Sequence, residues 1–117
     1  MKSKKIMVVG IALVLFALST GTLFAQSLVD GHYTINVFGG DRGAELLGYT
    51  IEEISIRGTR LEFYAPNRDR PVLSTTARIG GGAYHFQDSQ GRNYYFTVID
   101  SKTLNFKGAK FYLSNSY

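Results

Sequence analysis

From Gly31 onward the chain is cut about every six to ten residues by Gly, Pro, Asp, Asn or Ser, and the runs between the cuts are rich in β-branched and aromatic residues. This punctuation leaves no stretch that could form a helix of ordinary length, and it predicts an all-β chain. "HYTINVF" alternates Tyr33, Ile35 and Val37 against His32, Thr34 and Asn36, so one face is expected inward. "GYTIEEISIRG" is apolar at Ile51 and then at Ile54 and Ile56, so its phase slips by one at Glu52 and Glu53, where a bulge would restore a single buried face. "RLEFYAP" groups Leu61, Phe63 and Ala65 before Pro66 ends it, "PNRDRP" reads as a loop, and "VLSTTARI" as one strand.

"AYHFQD" sets Tyr84 and Phe86 on one side, and "SQGR" is a turn. "NYYFTVID" is apolar on both faces, which suits a central strand, and "TLNF" and "KFYLSN" follow it. Only "DRGAELLG" could hold helix, and Gly43 and Gly48 limit it to about one or two turns. The expected architecture is a small antiparallel barrel or two-layer β-roll of about seven to nine short strands. Closure is the favoured arrangement because it removes exposed strand edges.

The two halves also read as related β-meanders. Residues 31–35, Gly-His-Tyr-Thr-Ile, match residues 82–86, Gly-Ala-Tyr-His-Phe. Residues 43–64 parallel residues 91–113, and in both a basic pair flanks a glycine turn: Arg57 with Arg60, and Lys107 with Lys110.

Residues 1–25 open with Lys2, Lys4 and Lys5, continue with an apolar run over residues 6–18, and end at Ala25. This is the layout of a secretory signal peptide, and the apolar run falls short of the roughly 20 residues a membrane-crossing helix needs. The expected organisation is therefore a signal peptide, residues 1–25, followed by a single all-β domain, residues 26–117. Export by the general secretory route would place that domain in the periplasm, outside the cell or on its surface, with at most peripheral membrane association. Three of the 13 Lys and Arg lie in the signal peptide and none of the nine Asp and Glu do, so the remainder carries a formal charge of +1. So weak a balance does not suggest a nucleic-acid partner. The chain has no cysteine, so no disulfide can support this small domain. Aromatic burial must substitute, since all eight tyrosines and six of the eight phenylalanines follow the signal peptide.

With its Gly-x-Tyr opening strand and the later "YHFQDSQGRNYYFTVIDSKTLNF", the chain resembles the small exported lipocalin-like β-barrel domains of bacteria over residues 31–111. Tyr33 stands where lipocalins carry the tryptophan of Gly-x-Trp. The resemblance implies a barrel of short strands with inward aromatics and, by extension, a carrier of a small apolar molecule.

Chemistry-bearing motifs are few. "RIGGGAYHF" is glycine-rich, but a strand rather than a helix follows Gly80, Gly81 and Gly82, so it reads as a hairpin turn and not as a phosphate cradle. His32 and His85 are each expected outward and isolated, and no spacing of His, Cys or carboxylates suggests a metal site. Adjacent Glu52 and Glu53 point to opposite faces of a strand and cannot act as a catalytic carboxylate pair with each other. No enzyme activity, cofactor or metal is expected.

An integral outer-membrane barrel is not expected either, because eight strands of about 9 to 11 residues would leave almost nothing for loops. The candidates that remain are cations in turns, Arg57, Arg60, Arg68, Arg70, Lys107 and Lys110, and the aromatics Tyr49, Tyr64, Tyr94, Tyr95 and Tyr112. Gathered at one end of a barrel, they would form a docking surface for an anionic ligand, an envelope lipid or a protein partner. The expected function is an exported, non-enzymatic binding or interaction module; a carrier of a small apolar molecule and a structural envelope protein are the alternatives.

Overall fold

A computed structural model describes residues 27–117; the expected signal peptide, residues 1–25, lies outside them. Eleven strands follow one another: β1 (Gly31–Thr34), β2 (Ala44–Leu46), β3 (Tyr49–Ile51), β4 (Glu53–Arg57), β5 (Arg60–Tyr64), β6 (Leu73–Thr76), β7 (Arg78–Gly80), β8 (Ala83–Gln87), β9 (Asn93–Asp100), β10 (Thr103–Phe106) and β11 (Ala109–Ser116). Nine of them form one antiparallel sheet in the order β6-β5-β4-β1-β11-β10-β9-β8-β7, and β2 and β3 form a separate hairpin. The large sheet curls into a nearly closed barrel. β1 is the strand that joins the meander β4-β5-β6 on one side to the five-strand meander β7 to β11 on the other.

The "VLSTTARI" stretch, read as one strand from sequence, is two. β6 pairs with β5 and β7 pairs with β8, so the chain changes partner at Ala77. That bend is what brings the two sheet edges together. Thr75 Oγ1 donates to the Gln87 carbonyl at 3.0 Å across the seam, and the Ala77 amide donates to the Thr59 carbonyl at 2.8 Å. Both edges of the sheet thus lie in one continuous segment, and closure leaves little free edge.

Interior side chains follow the period of two. Tyr33, Ile54, Ile56, Leu61, Phe63, Tyr84, Phe96, Leu104, Phe106 and Phe111 are all fully buried. Phe63 stacks on Phe86 at 4.8 Å between ring centroids and Tyr84 on Phe96 at 4.9 Å, so aromatic rings occupy the barrel axis. Offset aromatic pairs of this kind contribute about 0.5–1.5 kcal/mol beyond the area they bury. The slip expected at Glu52 and Glu53 is present: Ile51 and Ile54 are both buried, and the Glu52 amide donates to the Tyr64 carbonyl at 3.0 Å beside the Glu53–Tyr64 pair.

Three local readings are corrected. "DRGAELLG" holds no helical turn; Ala44 and Leu46 alternate inward on β2, and Leu47 and Gly48, with φ of 53° and 82°, form the tight turn into β3. Both central residues with positive φ suit the twist of a hairpin, and burial of Leu46 and Ile51 outweighs helix propensity. In "HYTINVF" the strand ends at Thr34, and Val37–Gly39 is a short 3₁₀ turn whose Gly39 amide donates to Asn36 Oδ1. Val37, expected inward, is therefore 55% exposed. β9 is paired on both sides, but only one of its faces is covered, since Tyr95 and Ile99 lie on the solvent side.

Because neighbours alternate in direction, the turns fall into two sets. One end of the barrel carries the Gly58–Thr59, Gly81–Gly82 and Ser101–Lys102 turns together with the segment entering β1. Leu28 and Val29 close this entry end: the Leu28 amide donates to Tyr84 Oη at 2.8 Å, and Tyr33 Oη donates to the Val29 carbonyl at 2.5 Å. The opposite rim carries the Lys107–Gly108 turn, the Asp88–Arg92 turn, the loop before β6 and the β2-β3 hairpin.

Candidate functional site

The sequence-derived candidates fall into three groups rather than one. The largest surrounds the Lys107–Gly108 turn at the rim. Lys107 and Gly108 occupy the turn with φ of 54° and 87°, and this geometry lifts the Lys107 side chain toward the β2-β3 hairpin. Lys107 Nζ donates to the Glu45 carbonyl at 2.7 Å and lies 5.5 Å from the Tyr94 ring and 5.7 Å from the Phe106 ring.

On one side of the turn lies an open depression of about 320 Å³, lined by Asn93, Tyr94, Tyr95, Thr97, Asn105 and Lys107, among others. A second depression of about 320 Å³ lies on the other side and is lined by Asp41, Arg42, Gly108, Ala109, Lys110 and Tyr112. The two share Gly108. Together they gather Tyr94, Tyr95, Lys107, Lys110 and Tyr112, five of the eleven candidates.

A second group lies elsewhere on the rim. The Arg68 guanidinium stands 4.6 Å from the Tyr49 ring centroid, and Tyr64 and Arg68 line a depression with Glu52 and Glu53. Tyr64 Oη donates to Glu62 at 3.0 Å; burial, assisted by this bond to a carboxylate, pushes the Tyr64 phenol up to about 12. Arg70 is exposed in the same loop. The third group, Arg57 with Arg60, is at the entry end of the barrel. The two basic pairs are thus at opposite ends, and they are not equivalent. Arg57 and Arg60 face each other across the turn, whereas Lys107 is inside its turn and Lys110 pairs with Asn105.

Sequence reasoning missed the polar residues that complete these surfaces. Asn93, Thr97 and Asn105 reach the rim only because β9 and β10 are neighbours. His32, expected to be isolated, is half-buried: its Nδ1 is 2.9 Å from Glu53 Oε2, and its ring packs 4.8 Å from that of Tyr117. Among the described residues Asp88 is the buried acid. Its carboxylate accepts from the Gln90 and Arg92 amides, from Arg92 Nε at 2.7 Å and from Tyr94 Oη at 2.9 Å. Burial alone would push this carboxyl up, and those four donors outweigh it and hold it down at about 2. The "DSQGR" spacing, an acid ahead of a glycine turn, was the one signal in the sequence for this arrangement.

His85 is exposed on β8, and the glycines before it make a turn in which Gly81 and Gly82 both have positive φ, 64° and 77°. Among the described residues no group of three or more His, Cys, Asp or Glu side chains is placed to hold a metal ion, and no helix is long and apolar enough to cross a membrane. No protein-family model, curated protein or solved structure matches this chain.

Proposed function

We propose that this protein is an exported binding module of the bacterial cell envelope that recognises an anionic ligand or partner on its outer surface, around the Lys107–Gly108 turn. One observation carries the reading: two depressions meet at this turn and bring together cations and ring faces from β9, β10 and β11. Tyr95 is 59% exposed and offers a flat apolar surface, Asn93, Asn105 and Thr97 offer hydrogen-bonding groups beside it, and Lys107 and Lys110 supply positive charge. A surface of this kind suits a ring-bearing or acyl-bearing anion held from one side. Export and the envelope location rest on the character of residues 1–25.

The lipocalin-like carrier is the second reading. It asks for a pocket of about 300 Å³ or more that encloses its ligand, whereas the axis here is occupied by Phe63, Phe86, Phe96 and Phe106. The outer surface is therefore the better supported location.

The test compares purified wild-type protein with the double variant Tyr95→Ser, Lys110→Gln in pull-downs from envelope extract. Both residues are exposed and on strands, so the fold should survive. The wild type should retain an acidic lipid, glycan or protein that the variant releases. Equal retention by both, or none above a bead control, would remove this reading.

A further inference from the structure

Arg57 and Arg60 are directly opposite each other at the end of the β4-β5 hairpin, across a two-residue turn in which Gly58 has φ of 62°. Like charges in direct cross-strand register are destabilising. Here neither guanidinium forms an ion pair among the described residues, whose ion pairs are His32 with Glu53 and Arg92 with Asp88. Arg57 instead lies 4.1 Å from the centroid of the Tyr117 ring, and Arg60 Nη2 donates to Ser74 Oγ at 2.9 Å. Both arginines are thereby held in place without a direct ion pair to a carboxylate.

The two line one depression of about 240 Å³ with Ser55, Glu62 and Tyr117. Ser55 is only 5% exposed, and its hydroxyl is hydrogen-bonded to that of Tyr117. Two guanidinium forks and the one hydroxyl proton that the Ser55–Tyr117 bond leaves free offer donors in several directions, which match the oxygens of a tetrahedral anion better than the planar pair of a carboxylate. Glu62, committed to Tyr64 Oη, brings one negative charge to the wall, and Asp30, whose Oδ1 accepts from the Gly58 amide at 2.8 Å, brings a second to the turn between the two arginines. A singly charged group is favoured over a dianion as a result.

From this geometry we infer a second binding site, distinct from the rim surface, that holds a singly charged phosphate group between Arg57 and Arg60. Its ligand class is a phosphodiester or a monoester in its monoanionic form, and the Ser55–Tyr117 hydroxyl pair supplies one additional hydrogen bond. The site depends on nothing proposed for the Lys107 turn.

Titration of the purified protein with dimethyl phosphate at low salt, followed by amide chemical shifts, tests the site, with acetate as the planar anion. Shifts should centre on Ser55, Arg57, Arg60 and Tyr117, with acetate several-fold weaker. The double variant Arg57→Gln, Arg60→Gln should bind at least about tenfold more weakly. It should also melt close to the wild type, because relief of the like-charge pair offsets loss of the contacts to Tyr117 and Ser74. That stability readout separates a binding role from a structural one. Unchanged shifts in the variant, strongest response to acetate, or a clear fall in its melting temperature would each overturn the assignment. Cosedimentation with phosphatidylglycerol vesicles, competed by free dimethyl phosphate, would support a lipid headgroup as the source; binding of dimethyl phosphate without vesicle binding would support a soluble phosphodiester.

Discussion

The Tyr84 hydroxyl accepts a hydrogen bond from the Leu28 amide at 2.8 Å, across 56 residues of sequence. Tyr84 is fully buried in the barrel, and Leu28 belongs to the segment that leads into β1. The aromatic core and the closure of the entry end are therefore one structure: the ring packs, and its polar tip fixes the chain that covers it.

Tyr84→Phe should cost about 1–3 kcal/mol, because it leaves the Leu28 amide buried without an acceptor while the ring is kept. Chemical or thermal unfolding measures this, with Tyr95→Phe on the exposed face of β9 as the control, expected to stay within about 0.5 kcal/mol of wild type. Equal stability of Tyr84→Phe and wild type would mean that Leu28 does not close the barrel.

Alkaline pH should destabilise the fold through Tyr33. Burial, followed by the neighbouring Tyr84, Asp30 and Asp100, pushes its phenol up to about 12. A phenol whose folded value lies above the ordinary value near 10 contributes stability that is complete below pH 10 and is lost as the pH rises toward 12. Melting temperature should fall across this window, and ultraviolet titration should show phenols ionising near pH 12. In Tyr33→Phe the decline should be shallower; an identical slope would remove Tyr33 as its source.

Asp88 sets the acid limit. Its folded value of about 2 lies below the ordinary carboxyl value, so its contribution is present above pH 4 and is lost as the pH falls toward 2. Asp88→Asn should melt below wild type at neutral pH, and the two curves should converge between pH 4 and pH 2. Parallel curves would show that the four donors around Asp88 do not depend on its charge.

Three glycines separate backbone strain from close approach. Gly82→Ala forces a side chain into a turn with φ of 77° and should cost about 1–2 kcal/mol. Gly31→Ala would place a Cβ 2.4 Å from the Asn115 carbonyl oxygen and should cost about 1–3 kcal/mol through displacement of β11. Gly80, with open space around it and no positive φ, should accept alanine within about 0.5 kcal/mol. If the Gly80→Ala loss equalled that of Gly82→Ala, the turn geometry would not be the cause.

Those glycines also show how far the sequence could be read. Gly31 and Gly82 looked like equivalent starts of two related β units, yet one is excluded from carrying a side chain by a neighbouring strand and the other by its own φ. The pattern was real and its cause differed. In the same way Arg57–Arg60 and Lys107–Lys110 looked like matching pairs, but the first hairpin turns at Gly58–Thr59 and the second at Lys107–Gly108, one position earlier relative to its cations.

The sequence by itself determined the all-β class, the strands of the core and most of the turns, because side-chain alternation and glycine conformation are local and are written residue by residue. It also determined that the glycines of "RIGGGAYHF" turn the chain. Only the tertiary structure decided that β1 joins the two meanders, that residues 73–80 close the barrel by changing partner at Ala77, and that the basic residues divide between its two ends. Strand order and register follow from contacts between segments far apart in the chain, and a change of one residue in register moves every side chain to the other face. For that reason Ser55 and Tyr117, 62 residues apart, could be recognised as one site with Arg57 and Arg60 only in the folded protein.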